Sequence, residues 1–355
     1  MRVAFTLEQC WHRVPGGTGT AALAIAGELS RTQGIDLVGV AGRHRRPPTP
    51  GFEPNIPVAR LPIGAPWLYE TWLRLRWPLI ESVVDNPDIV HSTTIIAPAT
   101  RVPLVVTVHD VAFVRHPEFF TAHGNKVFNR SLSVLREKAA VVMCSSLATV
   151  DDCLANGFDS ARLRHVPLGV TPVKSTEEDV RRVRTEYSLP EQFVLFVGTM
   201  EPRKNLQRLI AAMPKVSPPL PLVVVGMKGW GDQPVPTEHE VHFTGFVPTA
   251  DLGALYAACT VFAYPSVLEG FGLPILEAMS AGAPVVTSRG TSTEEVAGGA
   301  GVLVDPHDVD SIAAGISDAI ARRDELGALG HLNVSRRSWH RTAELVAETY
   351  AGVLA

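Results

Sequence analysis

The chain has 355 residues, 46% of them hydrophobic and 19% charged, and it carries a formal net charge of −4. Because one hydrophobic core rarely grows beyond about 250–300 residues, this length favours two domains. The composition is that of a globular protein. It lacks the basic excess of a nucleic-acid-binding protein and any apolar run of the roughly 18–20 residues that span a bilayer.

The N-terminal pattern predicts a strand over Arg2–Leu7, a glycine-rich loop over Pro15–Thr20 and a helix over Ala21–Arg31. Within it, the run Gly17-Thr-Gly-Thr-Ala-Ala22 matches the dinucleotide-binding pattern G-x-G-x-x-A, so an NADP-dependent oxidoreductase using Gly17–Gly19 is one alternative. That fingerprint needs a tight turn between strand and helix, whereas about nine residues separate this strand from its first glycine.

Further β-rich runs alternate with helical patterns, which predicts a parallel sheet. These runs are Asp36–Gly42, Val58–Pro62, Asp88–Ser92, Leu104–Asp110 and Ala140–Ser145. Residues 104–108 are continuously apolar, as expected of a strand that is covered on both faces. His109 follows directly, at the strand end where open α/β sheets bind ligands, and is therefore a candidate site residue.

An aromatic and basic helix is predicted over Trp67–Pro78, following the basic run Arg43–Arg46. It contains Trp67, Tyr69, Trp72, Arg74, Arg76 and Trp77. Aromatic rings and arginine suit a lipid–water interface, so peripheral membrane contact through residues 67–77 is one interpretation. The other interpretation is an ordinary helix that packs its tryptophans against the sheet.

A domain boundary is predicted at Val166–Pro172, where two prolines interrupt both periodicities and the polar, acidic run Lys174–Arg184 follows. The next strand, Phe193–Val197, leads into Gly198-Thr-Met-Glu-Pro-Arg-Lys-Asn205 and a helix. The last four residues of that turn include two adjacent cations. An arginine can bind phosphate oxygens in a bidentate manner, while a lysine supplies a point charge.

The apolar run Val261–Tyr264 predicts a short buried strand, which leads into the stretch Tyr264–Thr287. This stretch combines a glycine loop at 270–272 with a helix that is predicted to begin at Pro274 and to continue over Ile275–Ala281. Backbone amides and the helix dipole would point to one place, which suits a phosphate. Glu269 and Glu277 lie eight residues apart and could accept hydrogen bonds from sugar hydroxyls at either end of a diphosphate. The alternative is a loop glutamate and an unrelated solvated one.

These motifs resemble those of the retaining nucleotide-sugar glycosyltransferases of family 4, and the resemblance extends along most of the chain. It implies an α/β GT-B fold, in which two Rossmann-like domains have parallel sheets facing across a cleft. Residues 1–171 would be the acceptor-binding domain, with residues 338–355 crossing back to it. Residues 172–337 would bind the nucleotide sugar.

The resemblance also implies roles for individual residues. The catalytic residues would be His109, Arg203, Lys204 and Glu269. The donor would be bound by Gly16, Gly17, Gly198, Phe246, Val247, Gly270, Phe271, Gly272, Leu273 and Glu277. In this scheme, Glu277 orients the ribose, Phe246 and Val247 receive the base, and the leaving phosphate takes the acceptor's proton. No cofactor or metal is expected, since Arg203 and Lys204 supply the charge that a metal would.

The Glu-Pro-Arg-Lys and Val-His-Asp versions of the motifs look most like those of mannosyltransferases of polysaccharide assembly. The expected reaction is transfer of mannose from GDP-mannose, with a UDP-hexose as the other donor, to a glycan or lipid-linked acceptor. A GT-B sugar-nucleotide epimerase is a further alternative. The cysteines form no close pair, which favours a reducing cytoplasm, including the inner face of the plasma membrane if the aromatic helix binds lipid.

Overall fold

The computed structural model describes residues 1–227 and 241–355, and the chain divides into two compact units. The first unit holds Met1–Gly169 together with Trp339–Ala355, and the second holds Val170–Ser338. The division and the boundary predicted after residue 171 fall in the same proline-containing segment.

The first unit is a seven-stranded parallel sheet with helices, and it is described throughout. Its strands are β1 (Arg2–Thr6), β2 (Asp36–Ala41), β3 (Val58–Arg60), β4 (Ile89–Ser92), β5 (Leu104–Val108), β6 (Ala139–Cys144) and β7 (Leu163–His165). Its helices include α1 (Gly16–Leu29), α2 (Trp67–Leu75), α3 (Ala112–Arg115), α4 (Ala122–Lys138) and α5 (Leu147–Ala155). The strand order is β3-β2-β1-β4-β5-β6-β7, and all of β5 is buried.

The second unit repeats this architecture with six parallel strands among its described residues. They are β8 (Val194–Val197), β9 (Leu222–Val225), β10 (Val241–Gly245), β11 (Val261–Tyr264), β12 (Val285–Ser288) and β13 (Val302–Val304), in the order β10-β9-β8-β11-β12-β13. The helices are α6 (Glu177–Glu186), α7 (Leu206–Ala212), α8 (Thr249–Ala258), α9 (Leu273–Ser280), α10 (Ser292–Ala297), α11 (Val309–Ala321) and α12 (Arg323–Ser335). The α/β prediction with two parallel sheets is confirmed.

The strand order of each sheet reverses at one place, between β1 and β4 in the first unit and between β8 and β11 in the second. In β1, Val3 pairs with Leu37 on one side and Ile89 on the other. Connections leave such a point to opposite faces of the sheet, which opens a crevice at the carboxyl ends of the two central strands. Each unit therefore has one preferred place for a ligand.

The last helix, α13 (Trp339–Leu354), belongs to the first unit and packs on α1. Its buried Tyr350 places Oη 2.6 Å from Nδ1 of His91 in β4, and His91 Nε2 lies 2.8 Å from Thr107 Oγ1. Both ring nitrogens of a fully buried imidazole are thus satisfied by hydroxyl groups. Burial, with a smaller contribution from His109, lowers the pKa of His91 to about 3.

We expect His91 to make the protein less stable in acid. Its neutral form is favoured in the folded state, so between pH 6.5 and 3 the unfolded chain binds one more proton than the folded chain. Stability therefore falls as the pH falls through this window, by about 2 kcal/mol at pH 5 from this residue. Urea unfolding at pH 7 and pH 5 checks this. The His91→Gln variant, which cannot titrate, should lose less stability between the two pH values than the wild type does.

Two local predictions are wrong. Helix α1 begins at Gly16, not at Ala21, and Gly19 lies inside it with its Cα facing Phe52, where a Cβ would come within 3.0 Å of the ring. The close packing against Phe52 leaves no room for a side chain, which explains why residue 19 is a glycine. The helix predicted over Trp67–Pro78 ends early, at Leu75, where Arg76 adopts a left-handed conformation. The run Lys174–Arg184, for which no element was predicted, contains most of α6, whose N-terminus is a capping box of Thr176 and Asp179.

The tryptophans in α2 and just after it differ in their exposure to solvent. Trp72 is only 2% exposed and donates from Nε1 to the carbonyl oxygen of Pro78 at 2.9 Å, so the interfacial interpretation is wrong for this residue. Trp67 is 72% exposed, Leu75 is 70% exposed and Trp77 is 52% exposed. Among the described residues no helix is long and apolar enough to cross a membrane.

Candidate active site

The turn that follows β8 is fixed by a buried asparagine. Asn205 adopts a left-handed conformation, and its Nδ2 donates to the carbonyl oxygens of Pro265 at 2.8 Å and Pro306 at 2.7 Å. These bonds tie the turn to the segments that follow β11 and β13. As a result, Arg203 and Lys204 are held at the carboxyl end of β11.

Two cations and two carboxylates meet there. Lys204 Nζ lies 2.7 Å from Glu269 Oε1, and Arg203 Nη1 lies 2.7 Å from Glu269 Oε2. The second guanidinium nitrogen, Nη2, lies 2.7 Å from Glu201 Oε1. Glu201, Lys204 and the Glu269 carboxylate are all buried. The predicted catalytic residues of the second unit are therefore in direct contact.

The electrostatics of this cluster favour full ionisation of its central carboxylate. Burial opposes ionisation, but the charges of Arg203 and Lys204 and the hydrogen bonds that they donate lower the pKa of Glu269 to about 2. Burial also lowers the pKa of Lys204, although Glu269 acts in the opposite direction. A cation held in such a site is weakly solvated, so it interacts strongly with any anion that enters.

Tyr264, the last residue of β11, completes the cluster and was missed by the sequence analysis. Its hydroxyl donates to Glu269 Oε1 at 3.0 Å and also contacts the ammonium of Lys204. The ammonium lies 4.7 Å from the centre of the same ring. Glu201 was missed as well, although it stands two residues before Arg203 in the Glu-Pro-Arg-Lys motif. The available signal for Tyr264 was its position at the end of an apolar strand.

The loop after Glu269 leads into the N-terminus of α9. Gly272 has φ +114°, a left-handed conformation that glycine adopts without strain, and a side chain there would crowd Ile275 and Thr293. Ser292 Oγ donates to the Glu269 carbonyl oxygen at 2.6 Å, which holds the loop from α10. The first-turn amides of α9 thus lie next in sequence to the cation cluster, and a helix N-terminus carries partial positive charge.

Apart from Glu277, the other donor-binding residues predicted in the second unit lie in the loop before α9, at its first residue, or directly after β8 and β10. Gly270, Phe271 and Leu273 are buried beside Gly272. Gly198 directly follows β8, and a Cβ on Gly226 would overlap its carbonyl oxygen, so the turns after β8 and β9 are in direct backbone contact. Phe246 and Val247 follow β10; the phenyl ring is 69% exposed, whereas Val247 is buried.

Glu277 lies in the second turn of α9 and is held by one neighbour. The hydroxyl of Tyr256, a buried residue of α8, donates to Glu277 Oε2 at 3.0 Å. Burial raises the pKa of Glu277, and the tyrosine hydrogen bond acts in the opposite direction. The carboxylate is therefore oriented by the fold and is not the freely solvated helix glutamate of the alternative interpretation.

In the first unit, His109 follows β5 as predicted. Burial lowers the pKa of His109, although Asp110 and a backbone hydrogen bond with Thr93 oppose the shift. A lowered pKa favours the neutral imidazole at pH 7, which can form hydrogen bonds but carries no charge. Its carbonyl oxygen accepts from Ser145 Oγ at 3.2 Å and Thr149 Oγ1 at 2.9 Å, which fixes the backbone.

Gly16 and Gly17 are exposed in the first turn of α1, in the unit that contains His109. Nine residues separate the end of β1 at Thr6 from the start of α1 at Gly16, so the tight strand-to-helix turn of a dinucleotide fingerprint is not formed here, and the NADP interpretation finds no support. In the second unit, the carboxyl ends of β8 and β11 carry paired cations next to a helix N-terminus. This arrangement can bind a diphosphate, with a carboxylate on each side.

Both units match known protein families. Residues 15–174 match the model described as "Glycosyltransferase Family 4", and residues 191–322 match the model described as "Glycosyl transferases group 1". The epimerase and oxidoreductase alternatives find no support in these matches.

Individual proteins are similar over much of the chain. O-antigen chain mannosyltransferase B of Escherichia coli is 33% identical over 280 residues, 74% of this chain and 74% of that protein. A GDP-mannose-dependent alpha-(1-6)-phosphatidylinositol monomannoside mannosyltransferase of Mycolicibacterium smegmatis is 30% identical over 218 residues, 54% of this chain and 57% of that protein. The crystal structure of Anabaena Alr3699/HepE in complex with UDP and glucose has the same fold, with a TM-score of 0.76 and 21% identity over 99% of this chain and 100% of that chain.

Proposed function

This chain belongs to the family 4 glycosyltransferases and is a hexosyltransferase. We propose that it transfers mannose from GDP-mannose to a glycan or lipid-linked acceptor, with retention of anomeric configuration. The similarity to a mannosyltransferase of O-antigen assembly and to a GDP-mannose-dependent enzyme supports this choice of donor. A UDP-hexose is the competing donor.

One observation carries the proposal. Arg203 and Lys204 both contact Glu269 at the carboxyl ends of β8 and β11, next in sequence to the N-terminus of α9. When the bond between the anomeric carbon and the phosphate oxygen breaks, negative charge develops on the departing diphosphate. Preorganised cations and backbone amides stabilise such charge, which is usually the largest single contribution to catalysis. These two cations supply the charge that a metal would otherwise provide.

The remaining roles follow from the same chemistry. The acceptor hydroxyl attacks the anomeric carbon on the face that the diphosphate leaves, and its proton passes to the leaving phosphate oxygen. No dedicated carboxylate base is needed. Glu269 orients hydroxyl groups of the transferred sugar, and neutral His109 donates or accepts a hydrogen bond beside that sugar. Phe246 and Val247 receive the base, and Gly16 and Gly17 cover the phosphate side.

A donor screen tests the proposal. The protein is incubated with GDP-mannose or UDP-glucose, with and without a mannose-terminated oligosaccharide, and release of the nucleoside diphosphate and elongation of the oligosaccharide are measured. We expect GDP release and elongation with GDP-mannose plus acceptor. Turnover of UDP-glucose only would overturn the choice of donor, and conversion of a nucleotide sugar into its epimer without acceptor would overturn transfer.

Glu277 is proposed to accept a hydrogen bond from the ribose of the donor, because Tyr256 holds its carboxylate in the helix that starts at the glycine loop. Glu277→Gln keeps the shape but weakens the acceptor, so we expect the Kd for GDP to rise by about tenfold, or 1–2 kcal/mol. Calorimetric titration measures this. Glu325→Gln changes an exposed side chain of α12 in the same unit. It is the matched control and should leave the Kd unchanged. An unchanged Kd in Glu277→Gln would refute the ribose assignment.

We also propose that the protein works in the cytoplasm and binds the inner face of the plasma membrane through Trp67, Leu75 and Trp77, which are exposed. Arg43 is also exposed. It lies near the start of α2, because its backbone amide donates to the carbonyl oxygen of Ile63, four residues before that helix. Indole rings suit the headgroup layer, and each nearby basic residue adds about 1 kcal/mol at an anionic surface.

Co-sedimentation with anionic phosphatidylglycerol vesicles at low and high salt tests this surface. We expect Trp67→Ser with Trp77→Ser to reduce pelleting several-fold, and salt to weaken wild-type pelleting. Leu329→Ser with Leu332→Ser, which alters exposed leucines of α12, is the matched control and should pellet like the wild type. Equally low pelleting of all three proteins would show that the acceptor need not be a lipid.

A further inference from the structure

A buried glutamine in the first unit has one end of its amide without a partner. Gln9 lies in a short helical turn, Glu8–Trp11, directly after β1, and the residue is 1% exposed. Its Nε2 donates to Thr93 Oγ1 at 2.7 Å. Its Oε1 is buried and has no hydrogen-bond partner among residues 1–227 and 241–355. A buried acceptor that stays unpaired is costly, and such atoms in folded proteins call for an explanation.

The hydrogen-bond network determines which end of the amide is unpaired. The hydroxyl of Thr93 donates its single proton to the carbonyl oxygen of Thr6 at 2.6 Å, so it can only accept from Gln9. The nitrogen of the amide must therefore face Thr93. The carbonyl oxygen is the end that points away, and it can take a hydroxyl or amine donor.

Gln9 lies at the carboxyl edge of the first sheet, on the same side as His109. Gln9 follows β1 and Thr93 follows β4, the two strands between which the strand order of the sheet reverses. Thr93 is also the backbone hydrogen-bond partner of the His109 side chain. Gln9 and His109 are thus both anchored on Thr93, at the edge of the sheet where ligands of open α/β units bind.

Neighbouring Glu8 is not an equivalent candidate. Its Oε2 accepts from the amide of Gly42 at 2.6 Å, whereas its Oε1 makes no hydrogen bond but lies 3.0 Å from Nε2 of His44, close enough to form an ion pair when that imidazole is protonated. The Glu8 carboxylate is therefore already engaged within the fold. Gln9 Oε1 differs from it, since among the described residues it has neither a hydrogen-bond partner nor an ion-pair partner.

We propose that Gln9 is a substrate-binding residue whose Oε1 accepts a hydrogen bond from a hydroxyl group of a sugar beside His109. The inference rests on the proposed function, since it assumes a sugar substrate. A neutral amide suits this task, because it selects for a hydroxyl at one position of the sugar without adding a charge near the reacting carbon. The hydroxyl belongs to the transferred hexose or to the acceptor glycan.

Two substitutions separate binding from a structural role. Gln9→Met keeps the length of the side chain and removes both polar atoms. Gln9→Glu, protonated in this buried place, keeps an oxygen that accepts and a hydroxyl that donates to Thr93. We expect Gln9→Met to lower kcat/KM for transfer by about tenfold to hundredfold, Gln9→Glu to retain a larger share of activity, and the Kd for GDP to stay unchanged in both.

The rate of donor hydrolysis, measured without acceptor, shows which of the two sugars carries the hydroxyl that Gln9 binds. If Gln9→Met slows hydrolysis and transfer alike, the hydroxyl is on the transferred hexose; if it slows transfer only, the hydroxyl is on the acceptor. Wild-type kcat/KM in both reactions would overturn the inference, as would equal losses in Gln9→Met and Gln9→Glu. The comparison uses whichever nucleotide sugar the wild type consumes, so failure of GDP-mannose as donor is a separate result.

Discussion

We expect Lys204→Met to lower kcat by about a hundredfold, which corresponds to roughly 3 kcal/mol of lost transition-state stabilisation. The ammonium of Lys204 is buried, lies 2.7 Å from Glu269 and contacts the hydroxyl of Tyr264. A charge held in place in this way acts on the departing diphosphate without reorganisation of solvent. Arg203→Lys should lose less than Arg203→Ala, because a lysine keeps the charge but not the planar fork of donors.

Steady-state kinetics with saturating donor check this result. Lys215→Met is the matched control, since Lys215 lies in the same unit and its pair with Asp310 is exposed. It should retain wild-type kcat. Because burial lowers the pKa of Lys204, activity should also decline on the alkaline side below the usual lysine range. A Lys204→Met protein with wild-type turnover would refute the assignment of the diphosphate site.

The second large effect concerns stability. Glu269→Ala should lower the free energy of unfolding by about 3–5 kcal/mol, because it leaves two partly or fully buried cations without their shared carboxylate. Adding Lys204→Met to Glu269→Ala should recover part of that loss, since the uncompensated ammonium is then gone. Denaturant unfolding of the two single variants and the double variant measures this coupling.

Asp310→Ala provides the control for this experiment. It breaks the exposed pair with Lys215, and exposed pairs contribute only about 0–1 kcal/mol. If Glu269→Ala is as stable as the wild type, or if the double variant shows no recovery, the three charges do not form the tightly coupled cluster that their distances indicate.

Much of the fold could be predicted from the sequence because parallel strands buried on both faces are continuous apolar runs. The run at 104–108 and the strand Val261–Tyr264 have the predicted positions, and β11 has the predicted bounds. Ligands of open α/β sheets bind where such strands end, so position made His109 and the Arg203–Lys204 pair candidate site residues, and the family resemblance added the roles expected of them.

Some errors left a signal in the sequence. Trp67 and Trp72 are five residues apart, so at 3.6 residues per turn they lie about 140° apart around α2 and cannot share a face, while Trp77 lies beyond the end of α2 at Leu75. The structure buries Trp72 and exposes the other two. Similarly, Thr176 and Asp179 have the spacing of a capping box, which could have identified α6 within an acidic segment.

The two α/β units and the family could be predicted from the sequence, and short motifs could be marked as candidate sites, because these inferences depend on local periodicity and on residue types close together in the chain. How the motifs combine depends on which strands are neighbours in each sheet, which the sequence does not show. Glu269 and Arg203 are 66 residues apart and meet because β8 and β11 are neighbours in the sheet. In the same way, Gln9 and Thr93, 84 residues apart, meet because β1 pairs with β4, and Gln9 Oε1 is left buried without a hydrogen-bond partner among the described residues.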